Sequence, residues 1–137
     1  MRSENKKERL EEIRRELREI RKLQHRVAVM QSVRERYESR IAVLESMEWT
    51  DEREKLIADL RKNSEALGIE DAIREATELE SRYMGALARL DGQDRAILLD
   101  GYLCGKPYWK IGMELGYSED GVKKRVRRAL ERLEKYL

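Results

Sequence analysis

Lys123, Lys124, Arg127 and Arg128 lie within six residues of one another, just after Ser118, Glu119 and Asp120, and Lys110 precedes them by little more than a dozen positions. These residue types at this spacing suit recognition of a polyanion. A lysine donates to guanine N7 and O6, an acidic side chain accepts from cytosine N4, and both lysine and arginine bind phosphate oxygens. On a helix, Glu119, Asp120, Lys123 and Lys124 occupy the first turn and a half. That is the part of a recognition helix that meets base edges. Lys110, Arg127 and Arg128 are better placed for phosphates.

The surrounding residues supply the elements that would position this set. From Pro107 the chain reads as a short helix with apolar Ile111 and Leu115 four residues apart, ended by Gly116. Ser118 is a good N-cap for the next helix, and Glu119 and Asp120 place negative charge where the helix dipole favours it. That helix carries Val122, Val126, Ala129, Leu130 and Leu133 on one face and the cations on the other. Gly112 falls one turn before Gly116, where two steeply crossing helices need a small side chain. Two helices joined by a short glycine turn, the second with a basic face, form a helix-turn-helix pattern. Tyr108 and Trp109 could flank a backbone. Core packing is the favoured reading for Trp109 and Tyr117, and Arg125 reads equally well as a solvated residue.

The run SEDGVKKRVRRALERL resembles the last helix of bacterial sigma factor region four, through Ser118, Val122, Lys123, Arg128, Ala129, Leu130 and Leu133. Upstream, Arg95, Ile97, Leu98, Tyr102, Gly105, Ile111, Leu115 and Gly116 fit the preceding helices of that module. The resemblance covers roughly the last third of the chain. Gly112 departs from it, since such modules more often have Ala there. The chain is also similar to the small phage-encoded late-gene regulators of the RinA and ArpU types, an isolated region four behind a helical N-terminal part. The resemblance implies a transcription regulator that binds double-stranded DNA through this module and could also contact RNA polymerase. Nothing resembles the promoter-melting part of a full sigma factor.

The composition agrees with helices. The chain has 137 residues, of which 42% are charged and 6% aromatic, with one Pro and no Phe. Charge is unevenly spread. Residues 1–44 hold 13 basic and 8 acidic residues, 45–100 hold 8 and 15, and 101–137 hold 9 and 5. A basic C-terminal module beside an acidic middle indicates that only part of the chain faces nucleic acid.

The rest of the chain reads as a helical arm. Residues from about Ser3 to Met47 predict one long helix with Leu10, Ile13, Leu17 and Ile20 at heptad spacing. Leu23 comes one residue early, and the phase resumes through Val27, Met30, Tyr37, Ile41 and Leu44, with Arg34 at an apolar position. This arm fits either a coiled coil for dimerisation or one helix of a small bundle. Its early cations, Lys6, Lys7, Arg9, Arg14 and Arg15, could also touch DNA phosphates, but they alternate with glutamates, and such a mixed-charge run reads first as a solvated face. Thr50 with Asp51 and Glu52 predicts a second helix start, and Gly68 a helix end, with part of Met47 to Gly68 expected in loop. Ile73, Ala76, Leu79, Tyr83, Leu87 and Leu90 predict a further helix, ended by Gly92, able to fold back on the first. Gln93 to Leu103 predict a short helix packed on the helix-turn-helix. Gly105 and Pro107 then bracket the connection.

Other chemistry lacks its residues. His25 and Cys104 are each the single residue of their kind. No Cys/His cluster offers four zinc ligands, and no phosphate-binding glycine loop or nucleophile elbow appears. The expectation is therefore no enzyme, no catalytic residue, no metal and no cofactor. Cys104 reads as a small buried residue, consistent with a reducing cytoplasm, and no segment reads as membrane-spanning. The expected protein is all-α, with a helical arm over residues 1–92 and a helix-turn-helix domain over 93–137. Its partners would be double-stranded DNA and a second copy bound through the arm, in the bacterial cytoplasm at the nucleoid. Two other arrangements combine the same parts: a small terminase-type subunit for phage packaging, and a helical adaptor whose basic face meets a protein such as RNA polymerase.

Overall fold

The computed structural model describes residues 2–137, with side chains from residue 5 onward. Six α-helices follow in order: α1 (Arg2–Glu45), α2 (Asp51–Glu65), α3 (Ile69–Arg89), α4 (Gly92–Leu98), α5 (Tyr108–Leu115) and α6 (Glu119–Glu134). A π-helical turn, Leu99–Leu103, continues α4. It is closed by the backbone N–H of Cys104, which donates to the carbonyl of Leu99 at 2.9 Å. The architecture is all-α among the described residues, as the composition and periodicity predict. The chain divides into two units, Met1–Lys22 with Thr77–Leu137, and Leu23–Ala76.

The first unit owes its core to five helices at once. Leu10, Ile13, Leu17 and Ile20 of α1 form one apolar cluster with Tyr83, Ala86, Leu87 and Leu90 of α3. Ile97, Leu98, Tyr102, Ile111, Val122, Val126, Ala129, Leu130 and Leu133 complete the same cluster. The heptad residues of α1 are thus buried inside this chain. The boundary expected between residues 92 and 93 falls inside this unit. The physical reason is area. Helices α4 to α6 are short, and their apolar faces need the cover that α1 and the end of α3 provide.

Helix boundaries follow from caps. The Asp91 carboxylate accepts from the backbone N–H of Asp94 at 2.8 Å, so Asp91 is the N-cap of α4. Gly92 is therefore the first residue of α4, where the sequence reading has it ending α3. Cys104 is exposed, against the expected burial, because the π-helical turn directs Tyr102 into the core instead.

The second unit holds the later part of α1, α2 and the start of α3. Leu23, Ile57, Ile69, Ala72 and Ala76 are buried within it. Arg26 pairs with Glu75 at 3.6 Å and Arg34 with Glu70 at 3.4 Å, so these stretches of α1 and α3 run antiparallel. Arg34, at an apolar position by phase, thereby gains a partner and stays half-buried. Thr50 caps α2 by accepting from the backbone N–H of Arg53 at 3.0 Å. Arg53 in turn donates to the Met47 carbonyl at 2.8 Å, ordering the short connection. Loop is confined to a few residues on either side of α2. Val43, Met47, Trp49 and Leu56 are exposed around this connection.

Candidate nucleic-acid interface

Helices α5 and α6 are joined by three residues, Gly116, Tyr117 and Ser118. Gly116 has φ +76°, the left-handed conformation that glycine adopts without a Cβ penalty. Ser118 is extended, and its Oγ accepts from the backbone N–H of Gly121 at 3.1 Å. The expected turn and cap are both present. Pro107 serves as the N-cap of α5, with φ −67°, which suits its ring.

Gly112 is buried at the crossing of the two helices. A Cβ there would lie 2.5 Å from the backbone carbonyl oxygen of Tyr117 and 3.4 Å from Val122. Alanine is normally the better helix former by roughly 1 kcal/mol. Gly112→Ala is nevertheless expected to lower the melting temperature and weaken duplex binding, because the obstructing atom is backbone in the turn itself. A rise in melting temperature for this variant would show that the turn opens without cost.

Val122, Val126, Ala129, Leu130 and Leu133 of α6 are all buried. That burial determines which side chains face outward. Glu119, Asp120, Lys123, Lys124, Arg127 and Arg128 are exposed on α6, Ser118 is exposed at its start, and Lys110 is exposed on α5. The structure thus brings every sequence-predicted contact residue to the surface of one helix-turn-helix. Arg127 is partly engaged by Glu131, 3.4 Å away. Lys110, Lys123, Lys124 and Arg128 make no ion pair among the described residues, so their charges remain available to an incoming phosphate or base.

The core packing expected of Trp109 and Tyr117 is corrected. Trp109 is 57% exposed and Tyr117 is 42% exposed, so neither packs in the core. Leu115 is exposed too, which leaves Ile111 as the α5 residue that anchors the helix to the cluster. For Arg125, which the sequence leaves open, the structure shows a partnered side chain. Its guanidinium Nε lies 3.2 Å from Asp94 Oδ1, and its Nη2 donates to Gln93 Oε1 at 2.8 Å.

Sequence reasoning missed the group that fixes α6 against α4. Asp94 is completely buried and charged. Its Oδ2 accepts a short hydrogen bond from Arg132, and Oδ1 faces Arg125 at ion-pair distance but without hydrogen-bond alignment. The backbone N–H of Asp94, foremost, holds the Asp91 carboxyl below the usual carboxylate range. The only sequence signal was an acidic residue three positions after an Asp N-cap. That pattern announces a helix start and says nothing of an ion pair across helices.

No group of three or more His, Cys, Asp or Glu among the described residues is arranged to hold a metal ion. No described helix is long and apolar enough to cross a membrane. Residues 86–135 match the family model described as Sigma-70, region 4. The match runs from the end of α3 through α6. It makes the C-terminal part of the chain a sigma region four-like helix-turn-helix, a DNA-binding type of module. No curated protein and no solved structure matches the chain.

Proposed function

We propose that this protein is a sequence-specific double-stranded DNA-binding transcription regulator that reads the major groove with the start of α6. The observation that carries the reading is the exposed set Ser118, Glu119, Asp120, Lys123, Lys124, Arg127 and Arg128 on a capped helix whose opposite face is buried. The resemblance to phage late-gene regulators supports a phage or prophage setting. A dimer held through the arm would double the contacts on a two-part site. The exposed Val43, Met47, Trp49 and Leu56 support an apolar contact there.

Lys124 and Arg128 divide the labour in this reading. Lys124 lies where the helix approaches base edges, and Arg128 one turn further along, toward the backbone. Lys124→Ala should cost roughly 1–3 kcal/mol on the selected sequence and relax preference at one base position. Arg128→Ala should weaken selected and scrambled duplexes about equally and reduce the salt slope by about one contact. Titrations of both variants on both duplexes at several salt concentrations measure this. Salt-independent binding of the unaltered protein to its best sequence would overturn the nucleic-acid reading. A reversed pattern between the variants would mean that α6 docks rotated.

A further inference from the structure

The cation-rich start of α1 reads in sequence as a solvated mixed-charge face. The fold places part of it elsewhere. Arg14 and Arg18 lie one turn apart on α1, and with Glu11 they line an open groove of about 290 Å³ whose other wall is Tyr108 of α5 and Lys123 of α6. Of the five side chains that line this groove three are cations. The single carboxylate, Glu11, is already engaged by Arg14 at 2.6 Å. Arg18 has no acidic partner among the described residues. It is held instead over the ring of Tyr102, 5.5 Å from its centroid, and the Tyr102 hydroxyl lies 3.4 Å from that of Tyr108. Stacking of this kind orders a guanidinium while leaving its N–H groups free to donate.

We propose that this groove is a second DNA-contact site, in which Arg18, Lys123 and the Tyr108 hydroxyl bind a backbone phosphate beside the major groove that α6 enters. The inference rests on the reading of α6 given above. Lys123 belongs to both surfaces: it stands in the first turns of the reading helix and also forms the wall of the groove. Whatever duplex α6 meets must carry its phosphate strand along this edge, since phosphates border the major groove. The ordered guanidinium gives up little side-chain freedom on binding, which favours a contact. The arm therefore does more than complete the core: its polar face continues the binding surface of the helix-turn-helix.

The test uses the full chain and a selected duplex in two lengths, one ending at the recognised bases and one extended by a helical turn on either side. Arg18→Gln removes one cation from the groove. Arg15→Gln removes an exposed cation of α1 that does not line the groove. Arg18→Lys keeps the charge, and Tyr108→Phe keeps the ring. Arg18→Gln should weaken binding to the long duplex several-fold, lower the salt slope by about one phosphate, and abolish the gain from the extension. Arg15→Gln should leave all three nearly unchanged, Arg18→Lys should restore the slope, and Tyr108→Phe should lose part of the gain. Circular dichroism melts confirm that each variant is folded. If Arg18→Gln and Arg15→Gln behave alike while the unaltered protein still gains from the extension, the groove is not a phosphate site and the α6 reading stands. If the unaltered protein binds neither duplex, the α6 reading fails.

Discussion

Ile13→Asp, a substitution about a hundred residues before α6, is expected to unfold the helix-turn-helix and abolish duplex binding. Ile13 is fully buried in the cluster that also holds Ile97, Val126, Leu130 and Leu133. A carboxylate at that position has no partner and no water, and the pocket it enters is apolar. Such a stranded charge belongs to the most damaging class of single substitutions, about 4–5 kcal/mol or more. A domain of this size has about 5–15 kcal/mol in all. Thermal melts followed by circular dichroism, with duplex titration in parallel, measure both consequences. Arg15→Asp on the exposed face of the same helix is the control and should change the melting temperature little. If Ile13→Asp melts within a few degrees of the unaltered protein and still binds, the C-terminal helices fold without α1, and the shared core has no energetic meaning.

The second large effect concerns Asp94. Arg125→Met together with Arg132→Met leaves this carboxylate buried without a cation. Breaking a buried pair from one side costs roughly 3–5 kcal/mol, because the remaining charge stays desolvated. The loss should appear in urea unfolding as a lower midpoint at an unchanged slope. The asymmetry supplies the check. Adding Asp94→Leu to the two methionines removes the stranded charge, and apolar packing should then recover most of the stability. The triple variant should be more stable than the double one despite carrying more substitutions. Equal stability of double and triple would mean that water reaches Asp94 once the arginines are gone. Removal of Asp94 alone is the milder change, since both arginines are partly exposed and can turn to solvent.

Both expectations arise from contacts that span long stretches of chain, and this is where sequence and structure part. The exposed face of α6 was legible because it depends on local rules. Burial of Val122, Val126, Ala129, Leu130 and Leu133 fixes the outward position of every other residue on that helix. Ser118, Gly116 and Gly112 each answer a local geometric demand: a cap, a left-handed turn and a close crossing. The same holds for the start of α2 at Thr50 and for the long α1.

Other positions depend on what already fills the space beside them. Trp109 and Tyr117 are large and apolar enough for a core, yet α5 is anchored through Ile111 and both of them remain at the surface. Cys104 is exposed because a π-helical turn, which leaves no periodic signature in five residues, shifts the register after Leu98. Gly92 looked like a helix end, but Asp91 caps the next helix and glycine there simply begins it.

By itself, the amino-acid sequence determined the helical class, the helix-turn-helix with its turn and cap, and the identity of the exposed cations on α6. Each follows from residue preferences and spacings within a few turns. The tertiary structure alone decided that the start of α1 lies in the same core as α6, that Asp94 bridges to Arg125 and Arg132, and that Arg18 shares a groove with Lys123. The physical reason is that a periodic apolar face states that it must be buried and not against what. A heptad stripe fits a second chain, a folded-back helix or a neighbouring module equally well. The choice is made by how much apolar surface α4, α5 and α6 leave uncovered, a quantity that exists only once all of them are packed.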